Sequence, residues 1–427
     1  MAGKRKKMPA FVLAAMGVFL VNSSLVFADA PLVSLDDSVA MALKNNSAIK
    51  IALTDRDKAL LGIDEAKAGG GPTLSLSSSG NRSMNMAEGT PGNSFSNSLR
   101  LSMPLYTGGR LAGQVDQAKL NAHAADLGVI KAQQQTTLAA TTAYFTVLQS
   151  HNMVKVNQEA VDSLTAHLNN VQAQYSVGTV AKSDVLGTQV QLANAQQNLT
   201  KAQNAYDVAV SSLNNITGMP LDTQNTYQDD LSYTPYAMSL DDSITAALKN
   251  RPEIGQSKDS VDAAKVGVKV ADSGHLPTVS VSGAEGWSDN NFPGTANNNW
   301  SVGISASWNL FDSGLTNAKV KEAKAAADKA AEQDKSTHDS IELEVRQDYL
   351  SMKEAEQRIQ TSSVAVDQAA DALKIAEAKY QAGAGTNLDV MDAELDLTQA
   401  KTNHTQALYD YNTNKAKLET AIGGVSE

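Results

Sequence analysis

The chain has 427 residues, no Cys, 5 % aromatic residues and a formal net charge of −11. Without Cys it has no disulfide, no thiol nucleophile, no Cys-ligated zinc and no lipid-bearing Cys after an export signal. The acidic excess makes it a poor partner for nucleic acid, whose phosphates it would repel.

Lys4, Arg5, Lys6 and Lys7 precede an apolar stretch at 11–21 and the small-residue sequence Val26-Phe27-Ala28. This pattern predicts a cleaved export signal over residues 1–28; the apolar stretch is short for a membrane span. Its removal leaves 35 − 4 = 31 basic against 46 acidic residues, a charge of −15. Ser34 then opens a short amphipathic helix with Asp36 and Asp37 in the first turn, where carboxylates complement the helix dipole. A second helix stops before Pro72, which holds the residue ahead of it extended. Two strands follow, at about 72–86 and 94–106. In the second, Phe95, Leu99, Leu101, Met103 and Leu105 alternate with Ser94, Ser96, Ser98, Arg100 and Ser102, and Asn97 interrupts the apolar face. The stretch PLYTGGR leads into a helix over 110–175, roughly 100 Å long at about 1.5 Å per residue. Val147, Val154, Val161, Leu168 and Tyr175 recur along it at heptad spacing. After a glycine turn, a return helix repeats the rhythm with Leu192, Leu199, Tyr206 and Leu213. Ala195, Ala202 and Ala209 flank that stripe. Heptads predict coiled-coil packing, with alanines allowing close approach. This first unit spans 29–218, and 219–238 reads as a linker.

From Ser239 the same order returns at one offset, 239 − 34 = 205. VSLDDSVAMALKNN matches MSLDDSITAALKNR, GPTLSLS matches LPTVSVS, and YSVG matches YQAG. The second unit, 239–427, carries strands at about 277–288 and 299–311. It also carries a heptad stripe of Val345, Met352, Ile359, Val366, Leu373 and Tyr380. In its second strand Trp300, Val302, Ile304, Ala306, Trp308 and Leu310 oppose Ser301, Gly303, Ser305, Ser307 and Asn309. An apolar face bracketed by aromatics, opposite small polar groups, is the pattern of an outer-membrane barrel strand. Trp287, Trp300 and Trp308 fit an interfacial girdle. Arg82 and Glu285 fall on the lipid face, which predicts either a bulge or a position at headgroup level.

Four strands cannot close a barrel, and open edges do not occur in lipid. Two chains would give eight strands with a filled interior, and three would give twelve with room for a channel. The elements therefore predict a mainly α chain with membrane β-strands, tandemly duplicated and assembled as a homotrimer. Gly108, Gly109 and Gly314 fall where each tilted strand turns sharply into a long helix, a bend that glycine permits.

With the LYTGG and LFDSG junctions, the tip sequences YSVGTVAKSDVL and YQAGAGTNLDVMDAELDLTQA complete a pattern that resembles the TolC family of bacterial outer-membrane factors. The resemblance covers essentially the whole chain after residue 28. It implies a twelve-stranded trimeric barrel in the outer membrane above a long periplasmic α-helical barrel of coiled-coil hairpins. It also implies a periplasmic adaptor and an inner-membrane pump of the RND, ABC or MFS type, serving drug efflux or type I protein secretion. Carried over, Asp389 and Asp392 are the acidic rings of the periplasmic gate, and Tyr380 and Asp184 a latch pair. Val177, Gly178, Thr179, Ala382, Gly383 and Ala384 are the adaptor-contacting tips. A latch arginine of the family is replaced here by Gly385. Plain helix N-capping is the second reading of Asp184 and Asp389.

No enzyme motif is found. His123, His151, His167, His275, His338 and His404 are scattered, with no HExxH, P-loop or nucleophile elbow. No cofactor or metal is expected, and the histidines read as solvated or helix-seam residues. The alternative function is a structural coiled-coil spacer of the cell surface. It accounts for the heptads but not for four amphipathic strands at matching places in both units.

Overall fold

The computed structural model describes residues 32–85, 90–228 and 231–424, so the expected export signal lies outside the described residues. β1 (Leu32–Val33), α1 (Leu35–Asn45) and α2 (Ser47–Ala68) come first. The Ser34 hydroxyl accepts from Asp37 N, and the Asp37 carboxylate accepts from Ser34 N, a reciprocal cap set by the SLDD sequence. β2 (Thr73–Asn85) and β3 (Thr90–Tyr106) form a hairpin. The 67-residue α3 (Arg110–Ser176) follows, then α4 (Lys182–Thr217). After β4 (Thr226–Tyr227) the series repeats: α5 (Leu240–Asn250), α6 (Pro252–Asp272), β5 (Thr278–Asp289), β6 (Asn297–Ser307), the 67-residue α7 (Leu315–Gln381) and α8 (Asn387–Ala421). Among the described residues no helix is long and apolar enough to cross a membrane.

The four long strands form one antiparallel sheet in the order β2-β3-β5-β6, with β2 and β6 at its edges. Its two faces differ. One carries a hydroxyl ladder, with Ser77 to Ser98 at 2.8 Å, Ser79 to Ser96 at 2.8 Å and Ser280 to Ser305 at 2.9 Å. The other aligns Leu74 with Leu101, and Val281 with Met103 and Ile304. Asn97, the exception on that face, donates to the Pro293 carbonyl at 2.8 Å and ties β3 to the loop between β5 and β6.

The expected bulge is not at Glu285. Pairing of β5 runs unbroken there, with Glu285 between Leu99 and Trp300, and the register shifts only between Pro104 and Tyr106. Glu285 shares its row with an interfacial residue type, and Arg82 pairs with Asn93 further out along the hairpin. β6 also ends sooner than the alternation predicts. It stops at Ser307, so Trp308, Leu310 and Phe311 lie beyond the strand. The Trp308 indole N–H donates to the His275 carbonyl at 2.9 Å.

Both strand-to-helix junctions use left-handed backbone. Gly108 and Gly109 have φ of 64° and 87°, and Ser313 and Gly314 have 55° and 85°. A Cβ on Gly108 would also lie 2.8 Å from the Ser273 carbonyl, so space and dihedral both require glycine there.

In the helical part, four long helices lie side by side in the order α4, α3, α8, α7. Within each hairpin an apolar cluster packs the two helices together. Tyr144, Leu148, Val210 and Leu213 join α3 to α4, and Val345, Met352, Tyr411 and Leu418 join α7 to α8. Ala195, Ala202 and Ala209 are buried as the spacing predicts. The α3 stripe drifts, however. Towards the tip Val156, Ala160, Leu164 and Val171 are buried while Tyr175 is exposed. There this helix packs on α4 and α8 together, so its buried face is wider than a two-stranded seam. The stretch read as a linker is tied down on both sides. β4 pairs in parallel with β1, and Tyr411 and Asn412 donate to the Thr234 and Ser232 carbonyls at 2.7 and 3.1 Å.

Candidate gate at the helical tip

The two hairpin turns lie together at the end of the rod. Gly178 and Gly383 take φ of 80° and 69°, and Thr179 N and Ala384 N close back onto the Gln174 and Lys379 carbonyls at 3.0 and 2.8 Å. Val177, Thr179, Ala382 and Ala384 are all exposed around them. Thr386 caps α8: its hydroxyl accepts from Asp389 N at 3.2 Å, and its own N–H donates to the Asp389 carboxylate at 2.8 Å. The Thr386 bonds, backbone first, hold the Asp389 carboxyl below its usual range. Capping is therefore what Asp389 does within one chain. Asp392 is exposed one turn on.

Asp184 stands half-buried in the first turn of α4. It and Tyr380 line one cavity of about 450 Å³, together with Gly385, Asn387 and Met391. Burial, then the Asp184 charge, push the Tyr380 hydroxyl up. The predicted pair is thus brought together, but the buried Tyr380 hydroxyl has no hydrogen-bond partner among the described residues.

Sequence reasoning missed what lies beneath. His167 of α3 stacks on Tyr380 with ring centroids 5.2 Å apart, and its Nε2–H donates to the Asn387 side-chain oxygen at 2.7 Å. Further along, Ser163 donates to Glu394 at 2.6 Å, and burial pushes that carboxyl up. Lys401 pairs with Glu159 at 2.6 Å, and Gln149 donates to Gln406 at 2.7 Å. The α3–α8 seam, which joins the two hairpins, therefore carries polar rungs beside apolar contacts such as Val171 with Val390 and Leu397. The α7–α8 seam carries rungs as well, with Arg358 to Asp410 at 2.7 Å and Ser362 to His404 at 3.1 Å. The α3–α8 partners lie about half the chain apart, and no local sequence signal marks them.

A family model described as outer membrane efflux protein matches residues 39–219 and 243–424. The chain belongs to that family. TolC of Escherichia coli K12 is 28 % identical over 401 residues, covering 90 % of this chain and 80 % of that protein. The alkaline protease secretion protein AprF of Pseudomonas aeruginosa is 25 % identical over 348 residues, 78 % and 70 % of the two chains. Among solved structures, VceC of Vibrio cholerae shares the fold at a TM-score of 0.77 with 19 % identity, covering 92 % of this chain and 97 % of that one. The CmeC outer membrane channel of Campylobacter jejuni does so at 0.77 with 20 % identity, covering 91 % and 85 %. The chain is an outer-membrane exit duct for efflux or secretion, with a large periplasmic part, and not an enzyme. Members of the family work as trimers with adaptor and pump partners.

Proposed function

We propose that three copies of this chain close one twelve-stranded barrel and one helical tunnel. Cargo handed over by a periplasmic adaptor and an inner-membrane pump of the RND, ABC or MFS type would pass through them passively. The observation that carries this is that the same two sides of the protomer are unfinished at both levels. The sheet has free edges at β2 and β6, which lipid does not tolerate. The row of helices ends in α4 and α7, whose outer faces expose Leu186, Val190 and Val208 on one side and Leu343, Leu350 and Val364 on the other. Joining α4 of one copy to α7 of the next covers both stripes. The α7 stripe has the seven-residue spacing of a helix seam.

Asp389 and Asp392 then form the acidic gate at the tunnel entrance. They are one turn apart on α8, and three copies place six carboxylates around the axis. The bonds from Thr386 keep Asp389 ionised, while crowding of like charges around the axis opposes them. Tyr380 and Asp184 form the latch, and the exposed turns at Val177, Gly178, Thr179, Ala382, Gly383 and Ala384 receive the adaptor. Trp287 and Trp300 mark the membrane rim, and Trp308 lies at the opposite end of the sheet.

Conductance of the purified protein in planar bilayers tests the gate. A multivalent cation or strong acidification is expected to lower it, because either removes the negative field that admits small cations. Replacing Asp389 and Asp392 together by Ala is expected to abolish the cation block with assembly intact. Full block in that variant would place the acidic constriction elsewhere.

A further inference from the structure

Asn387 is the first residue of α8, two positions ahead of Asp389. It is 7 % exposed, and it meets His167 at 6 % and Thr188 at 0 %. Its Nδ2 donates to the Asp184 backbone carbonyl at 3.3 Å and to the Thr188 hydroxyl oxygen at 3.1 Å, and its Oδ1 accepts from His167 at 2.7 Å. One side chain therefore ties the start of α8 to both α3 and α4. Among the described residues no other side chain in the first turn of α8 makes such a bond. The Tyr380 hydroxyl is unpartnered. Gly385 offers no side chain, and a Cβ there would lie 3.1 Å from Lys379 Cβ and 3.2 Å from Tyr380 N.

We propose that Asn387 is the lock of the closed tip, a positioning residue that fixes Asp389 and Asp392 by holding α8 onto the α3–α4 hairpin. This rests on the gate reading above. The chemistry suits a reversible lock. All its partners are polar and can rebond to water when the seam parts, so its own release costs only the small net worth of hydrogen bonds. The neighbouring apolar cluster of Val171, Tyr380 and Val390 adds its own burial to the closed seam.

The test is the resting conductance of the full trimer in planar bilayers. Asn387→Ala fits the space and loses every bond; the ratio of open to closed channels is expected to rise at least about fivefold, the effect of roughly 1 kcal/mol. Thr188→Val, an isosteric change, raises it less, and adding it to Asn387→Ala gives no further rise, because both act on one bond. His167→Gln, which keeps a donor, stays near wild type, whereas His167→Leu opens. Gln149→Ala removes a rung of the same seam far from the tip and is expected to leave conductance unchanged. Wild-type conductance in Asn387→Ala would overturn the proposal, as would an equal rise in Gln149→Ala, which would mean general loosening. The acidic gate is read separately. Asn387→Ala retains both aspartates and should keep its multivalent-cation block, so a lock without an acidic ring, or a ring without this lock, would each be visible.

Discussion

At the scale of single residues, the proposed latch pair illustrates how recognition and geometry diverge. Tyr380 and Asp184 meet at one cavity, yet the phenol is held by burial and by the His167 ring and not by a hydrogen bond. Another titratable residue lies far from the tip. Burial, and secondarily Glu344, push Asp348 of α7 up to about 6, against the opposing pull of Lys417 and Arg251. The folded chain thus holds this proton more tightly than the unfolded chain, whose carboxyl titrates near 3.8. Stability attributable to this group falls as pH rises from about 4 to about 6 and stays lowered above that. Asp348→Asn is expected to raise the melting temperature by a few degrees near neutral pH and to leave it unchanged near pH 4. An equal gain at both pH values would mean that titration is not the cause.

At the scale of elements, the sheet gives the sharper test. Alternation along β6 puts Val302 and Ile304 on one face and Gly303 and Ser305 on the other, and its pairing with β5 keeps that register without a break. Gly303 has no atom within 4 Å of a built Cβ, so cysteine fits there without strain. Cysteines at 302 and 304 are expected to resist a water-soluble thiol reagent in intact membranes, and those at 303 and 305 to react. Equal labelling of both faces would remove the barrel assignment. Strand existence, type and facing were legible in the sequence because a period of two is a local signal. The end of β6 was not. The apolar alternation continues through Leu310, but the bond from Trp308 to His275 and the left-handed turn at Ser313 and Gly314 take the chain out of the sheet.

At the scale of the whole molecule, the unfinished sides of the protomer set the expectation. Leu350 on the free face of α7 is 57 % exposed, far from any seam within the chain. Leu350→Glu would place a charge against an apolar stripe of the neighbouring copy, where it cannot be solvated. Loss of the trimer by gel migration and size exclusion is expected, with helical content retained. A normal trimer would mean that α7 does not meet α4. The spacer alternative is set aside at this scale, since a membrane-type sheet caps the rod and the family is one of channels.

By itself the sequence determined the helices, the four strands, the glycine bends and the tandem order, all carried by patterns within a few turns or by one constant offset. It also supplied the family, because tip and junction motifs stand in an ordered series. Only the tertiary structure decided which helix neighbours which, and therefore that α3 and α8 join the hairpins through both polar rungs and apolar contacts. It alone set the Asn387 contacts, since Asp184, Thr188 and His167 lie about 200 residues away in the chain. Periodicity records which face of a helix is buried. It does not record what covers that face, and a hydrogen bond between distant helices depends on that partner.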